Sequence, residues 1–463
     1  MKKSFFYLAG VVMSMLAVTS CSDDDSTTTT PPVAGSDLVE LSGNLDTQTL
    51  TKDKKYLIKG QVFVNEGKTL TVQPGTVVYG DKATKGTLII GLGGKIMAEG
   101  TATEPIVFTS ALEEGTRDRG DWGGIVLLGK AKVNQASPAI EGITPAVVYG
   151  GTNDADNSGI LKYVRVEFAG IELTPNNETN SITLGGVGSG TVVEYCQTSF
   201  GGDDGFEWFG GAVNGKHLIV FATWDDAFDI DFGFSGKLQY ALDVRYPSYA
   251  DQSGSNSIEA DNGPNDNATD FLTTAVISNL TSVGPRAVST QSVNANFQHS
   301  MDLRRRVALN VANSVFVGYP RGIRFNQQTV FDNYNAGTGI LKNNVLVADL
   351  LTYAVGTGMT ADAAAVKALW ENAANGNTTI TTTDFPAIYS GLGLNTNIFF
   401  GSNTRTAYTA NPTFAVTSGT LATGASFTDA KLAGLENVTY KGAFGATDWT
   451  DGWAEFNPIA KVY

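Results

Sequence analysis

An all-β chain wound as a parallel solenoid is the fold class the sequence predicts, on three observations. Short runs rich in Val, Ile, Thr and Phe, separated by Gly, Asn and Asp, recur from about Leu38 to Val347. Helical periodicity is nearly absent over that span. An acidic-aromatic segment also returns after 22 residues: D-D-G-F-E-W-F-G-G (Asp203 to Gly211) is followed by D-D-A-F-D-I-D-F-G (Asp225 to Gly233). A period of about 20–25 residues fits one coil of a solenoid, with equivalent residues stacked about 4.8 Å apart along its axis.

Composition narrows the function classes. The 463 residues carry a formal charge of -15, which argues against nucleic acid as a partner. Two cysteines exclude a disulfide scaffold, and two histidines argue against a His-rich zinc site or a catalytic His network. The apolar fraction of 42% is ample for a packed core.

Residues 1–20 read as a signal peptide: Lys2 and Lys3, then an apolar stretch from Phe5 to Val18. Val18-Thr19-Ser20-Cys21 resembles the lipobox of bacterial lipoproteins, which implies that Cys21 is diacylated and becomes the mature N-terminus. Ser22 to Asp25 (S-D-D-D) resembles the signal that sends Bacteroidetes-type lipoproteins to the outer face of the outer membrane. Residues 21–37, with a run of Thr and Pro, read as a tether.

Residues 38–350 form the expected β-helix. Strands are expected at Thr69 to Val78, Thr87 to Ile90, Ile106 to Thr109, Tyr163 to Phe168 and Leu218 to Ala222. Alternation places Phe206 and Trp208, with Phe228, Ile230 and Phe232, inside the coil. Glu207, Asp229 and Asp231 then face outward, and Phe209 is the outward aromatic. Trp208, Phe209 and Trp224 are candidates for stacking on sugar rings where exposed, although alternation assigns Trp208 to the core. Cys196, within V-V-E-Y-C, reads as core. In 351–463, Ala361 to Ala374 is the one convincing helix, with Thr360 as N-cap and Gly376 beyond its end. It reads as an insertion between late coils or part of a cap, and the Trp-rich tail to Tyr463 as cover for the exposed end of the solenoid.

Several segments together resemble the coils of right-handed parallel β-helix lipoproteins of the Bacteroidetes cell surface. They are Gly93 to Thr101, Pro105 to Ser110, Asp121 to Ile125, Leu161 to Gly170, the two acidic repeats, Ala250 to Asn262 and Gly442 to Pro458. The resemblance covers most of the mature chain. It implies fold and address more than chemistry, and it implies that some members accompany TonB-dependent outer-membrane receptors.

The candidate site is the acidic series Asp203, Asp204, Glu207, Asp225, Asp226, Asp229, Asp231, Glu259 and Asp261. Two such carboxylates about 5 Å apart repel by roughly 3 kcal/mol at an effective dielectric of 20, so a sheltered ladder needs a cation, arginines or protonation. Three readings stay open. Asx side chains close turns; clustered oxygens bind calcium, which takes six to eight of them; or paired carboxylates act on a glycosidic bond. D-D at coil corners is superficially similar to pectin-hydrolysing β-helix enzymes, but their histidine-glycine motif is not evident around His217 or His299. Arg304, Arg305 and Arg306, with Arg321 and Arg324 beyond, are candidates for an anionic ligand or for counter-charge to the acidic coils. The favoured expectation is a noncatalytic ligand-binding accessory to uptake, anchored on the cell exterior. A calcium-assisted polysaccharide lyase or hydrolase, and an adhesin, are the alternatives.

Overall fold

The computed structural model describes residues 38–174, 177–264, 271–381, 384–400, 405, 408 and 411–463. Cys21, the signal segment and the tether lie outside the described residues.

The chain forms a parallel β-helix with three stacked faces. Face A begins at residues 38–42, paired with 55–59, and ends where 345–347 pairs with 378–380. Face B runs from 62–64 on 87–90 through Ile125–Leu128, Ile182–Gly185, Phe206–Phe209 and Phe228–Asp231 to 351–355. Face C runs from Gln48–Leu50 to Ile340–Lys342. All these ladders are parallel, so each coil is held by its neighbours rather than by a hairpin partner. Four of the expected strand runs coincide with face segments. The run from Thr69 divides into Thr69–Val72 and Val77–Gly80, because Pro74-Gly75 turns the chain between them, with Gly75 at φ 76°.

Register follows the repeat. Phe206 pairs with Phe228, Glu207 with Asp229 and Trp208 with Ile230. The inward columns fill the lumen: Ile182, Phe206, Phe228, Ile258 and Met301 are each at most 1% exposed. The Phe206 and Phe228 rings lie 6.3 Å apart at 16°. Phe209 faces outward as expected. Phe232 does not face inward: at φ 51° it leaves the strand path, breaks the alternation and packs on Phe209 at 5.1 Å. Phe234 enters the core in its place.

Left-handed residues also mark the corner between faces C and A. Tyr163, Tyr195, His217 and Tyr240, followed by Asn279, Asn313 and Asn343, all have φ between 49° and 61°. The first four stack as a ring ladder at 4.4, 4.2 and 5.0 Å. The left-handed turn costs energy for a residue with a Cβ, and ring stacking or Asx bonding offsets it.

Apolar outward columns are covered by chain excursions. Phe63, Ile89, Val126 and Leu128 on face B pack under Ile140, Ile143 and Tyr149 of the long excursion after Leu128, and under Ile171 and Leu173. Face A is covered by the C-terminal segment. Contrary to the expected end cover, that tail runs lengthwise back along the coils. Reciprocal pairs hold it: Gln239 donates to the Glu436 carbonyl (2.8 Å) and accepts from its amide (2.9 Å), and Gln197 does the same with Glu455 at 2.7 and 2.9 Å. Asn313 and Ser426 repeat the pattern at 3.0 and 2.9 Å. The tail reaches the first coils, where Lys55 donates to the Tyr463 carbonyl (2.7 Å) and the Tyr463 hydroxyl lies 2.6 and 2.8 Å from the Glu167 oxygens.

End cover comes instead from the helix Ala363–Trp370, inserted between the last strands, whose Val366 and Trp370 close the lumen. Its N-cap is Asp362, which accepts from the Ala365 amide at 2.9 Å; Thr360 instead bonds to Gln328.

Phe228→Ala is expected to lose about 3–5 kcal/mol in urea unfolding followed by circular dichroism, because the cavity opens in a packed lumen. Phe209→Ala, on the half-exposed outer side, should lose less.

Candidate acidic groove

The site is built where faces A and B meet. Successive corners deliver Asp203 and Asp204, then Asp225 and Asp226, then Asp251 and Asn256. Gly202 belongs to the first: a Cβ there would lie 2.2 Å from the Gly170 carbonyl oxygen and 2.9 Å from the Gly120 nitrogen.

The inner members of these corners form an Asx ladder. Asn180 Oδ1 accepts from the Asp204 amide (3.2 Å), Asp204 Oδ1 from the Asp226 amide (2.8 Å), Asp226 from the Asn256 amide, and Asn256 Oδ1 from the His299 amide (2.9 Å). Each side chain thus satisfies the backbone of the next coil, so one oxygen of Asp204 and one of Asp226 close turns.

The outer members open into a groove of about 790 Å³ lined by Asp203, Asp225, Asp251, Glu178, Trp224 and Arg119, among others. Asp225 accepts from Ser253 Oγ (2.7 Å) through Oδ2, while its shielded Oδ1 has no hydrogen-bond partner. Trp224 donates its indole N–H to Asp251 Oδ1 (2.8 Å), and the Arg119 guanidinium lies 3.5 Å from the centre of its ring. Glu178, Asp251 and Arg119 escape the repeat pattern because they come from loops and a hairpin of irregular length, whereas Trp224, an expected sugar-stacking candidate, directly precedes the Asp225-Asp226 doublet.

Beside the groove, one outward column of face B changes character along the axis. It reads Phe63, Ile89, Val126, Thr183, Glu207, Asp229, Glu259, Asp302, Arg324. Arg324 pairs with Asp302 through both carboxylate oxygens, with 2.7 Å from Nε to Oδ1. Arg304 pairs with Glu259 and lies 3.3 Å from Asp261, which also binds Arg305. The arginines therefore sit as counter-charge to the later acidic coils. Arg306 takes no part in these pairs; its φ is 67° and its carbonyl accepts from Asn333 (2.6 Å). Asp302 carries the same alternation signal as Glu259, within H-S-M-D-L, but belongs to no acidic doublet.

The earlier coils lack this compensation. Burial first, and neighbouring carboxylates second, push Asp203, Asp204, Glu207 and Asp226 well above the usual carboxylate range. Asp225 rises through burial against the opposing Ser253 bond, and Asp231 rises through burial with Asp261 and Asp229 nearby. Burial raises Asp229 to about 7 and Asp261 to about 6, opposed by Arg304 and Arg305 respectively. For Asp251, burial is outweighed by bonds from Ser253 and Trp224, which hold it low. Asp204, Glu207 and Asp229 each present an oxygen within 4.8 Å of the others, as do Asp203, Asp204 and Asp225. Asp229 Oδ1, like Asp225 Oδ1, has no hydrogen-bond partner.

A cation inside the lumen lies beneath these corners. Arg245 is 0% exposed and donates to the Asn256 carbonyl (3.3 Å) and to the Asp225 carbonyl. Nearby, Asp243 accepts from Tyr319 (2.9 Å) and Ser282 (3.2 Å), and burial raises it to about 6. Their apolar neighbours in sequence gave no sign of an internal polar cluster. Of the histidines, His217 belongs to the ring ladder and His299 is 1% exposed; burial lowers them to about 4 and about 3.

A parallel β-helix with an acidic groove at one corner defines the class of this protein. The family is specific: a model described as the pectate-lyase like beta helix domain matches residues 43–392, most of the chain, and the chain belongs to that family. No curated protein and no solved structure gives a significant match.

Carboxyls raised on folding bind more protons in the native than in the unfolded chain, so stability falls as pH rises between the unfolded and folded values. For Asp229 that window runs from about 4 to about 7. Cation-free protein should therefore melt at a lower temperature at pH 7.5 than at pH 5, and Asp229→Asn should shrink the difference in calorimetric scans.

Proposed function

We propose that this protein is a lipid-anchored protein of the bacterial outer surface that binds its ligand in the acidic groove without transforming it, as accessory to a TonB-dependent uptake system. Cys21 would carry the lipid, and residues 22–37 would hold the β-helix clear of the membrane. The observation that carries the binding reading is the groove itself. Carboxylates from successive coils converge in one open cleft with a fixed indole. Neither imidazole of the chain lines the cleft.

Calcium is the cation best suited to the adjoining cluster of Asp204, Glu207 and Asp229, because a hard cation relieves stacked carboxylates and uses their free oxygens. It would stabilise the coils beside the groove by favouring the ionised carboxylates. Family membership favours a second reading, action on a polysaccharide; a lyase would release unsaturated products absorbing in the ultraviolet.

Pull-down from outer membranes tests the accessory role. Native protein should recover a transporter and the Asp225→Ala/Asp229→Ala variant less of it; recovery of none by either removes the proposal. For calcium, exhaustive chelation should lower the melting temperature and readdition restore it. Saturation at 100 times the dissociation constant corresponds to about 2.7 kcal/mol. An unchanged melting temperature with no bound ion by metal analysis excludes the site.

A further inference from the structure

We infer that the groove takes a neutral polyhydroxylated glycan, one sugar ring stacking on the Trp224 face that Arg119 covers, and that it discriminates against polyuronates. The inference rests on the reading of the groove as the ligand-binding face.

Three features favour that chemistry. The first is the indole. Trp224 lines the groove, its N–H is fixed by Asp251, and the Tyr249 ring meets it edge-on at 5.5 Å and 71°. The ring is therefore held in one orientation, and its remaining claim is the Arg119 guanidinium at 3.5 Å. A cation–π contact between two half-buried residues is worth about 1 kcal/mol, little enough for the apolar C–H face of a pyranose to replace it.

The second is the surplus of acceptors. Asp203, Asp225, Asp251 and Glu178 line the same cleft and set several acceptor groups against one basic side chain, Arg119. Sugar hydroxyls are donors of suitable size and spacing for them. A cleft of about 790 Å³ has room for a short oligosaccharide.

The third is the charge. Without a bridging cation, a uronate would bring further carboxylates to a groove whose lining contains one basic side chain, Arg119. Of the other arginines that could receive uronates, Arg304 is paired with Glu259, Arg305 with Asp261 and Arg324 with Asp302, and neither Arg306 nor Arg321 lines the groove. The groove thus departs from what the family description would lead one to expect of its ligand.

The test is titration of the full protein with glucan, galactan and mannan hexasaccharides and with hexagalacturonate, in EDTA and again in calcium, read by calorimetry and tryptophan fluorescence. At least one neutral hexasaccharide should bind at least ten-fold more tightly than hexagalacturonate in EDTA, and should keep its affinity in calcium. Trp224→Ala should weaken it ten-fold or more while Trp224→Phe retains most of the affinity. Arg119→Ala should strengthen it about two- to five-fold, the cation–π contact no longer being displaced. Circular dichroism establishes that each variant is folded. No binding by any neutral hexasaccharide, equal or tighter binding of hexagalacturonate in EDTA, or unchanged affinity in folded Trp224→Ala overturns the inference. Recovery of a transporter with silent glycan titrations would remove this inference and leave the accessory role; glycan binding without a transporter would do the reverse.

Discussion

The rest of the structure depends on the registered stacking of parallel strands from coil to coil. Each ladder places a residue directly over its counterpart, so one side-chain choice is felt along the whole axis. Inside, this gives the lumen columns in which Phe206 lies over Phe228. Outside, the same constraint stacks Glu207 over Asp229 and Asp229 over Glu259, where like charge is unfavourable. Packing and electrostatics therefore oppose each other across a single strand, and the lumen, which buries far more area, sets the register.

The electrostatic conflict is resolved differently along the axis. Toward the later coils arginines meet the carboxylates. In the earlier ones burial and mutual repulsion keep several carboxyls from ionising normally, and Arg245 supplies charge from within the lumen. The uncompensated region borders the open groove, which Asp203 and Asp225 line. The Asx ladder ties the two together. Asp204 and Asp226 hold the corners with one oxygen, which fixes the position of Asp203 and Asp225 on the groove side.

Much of this was legible in the sequence because a solenoid repeats its signals. The offset between the two acidic segments gave the register of Phe206 on Phe228 and Glu207 on Asp229, and alternation placed Trp208 inside and Phe209 outside. Alternation failed at Phe232, where a left-handed residue ended the strand one position before the pattern required. The helix near residue 363 was legible, but Asp362 took its N-cap, since Thr360 was drawn to Gln328. Residues brought together by irregular excursions were not legible: Arg119 and Glu178 approach Trp224 only once loops of unequal length have closed. The lengthwise course of the tail was equally hidden, because Gln197, Gln239 and Asn313 are unremarkable amides until a strand of backbone lies across them.

That lengthwise course has a mechanical consequence. The segment that leaves the last coils returns to the first, and Lys55 meets Tyr463 across 408 positions of sequence. The start of the β-helix at residue 38 and residue 463 therefore lie at the same pole. Tension between the two would be carried in series by the pairing of residues 38–42 with 55–59 and by the contacts of Tyr463 with Lys55 and Glu167.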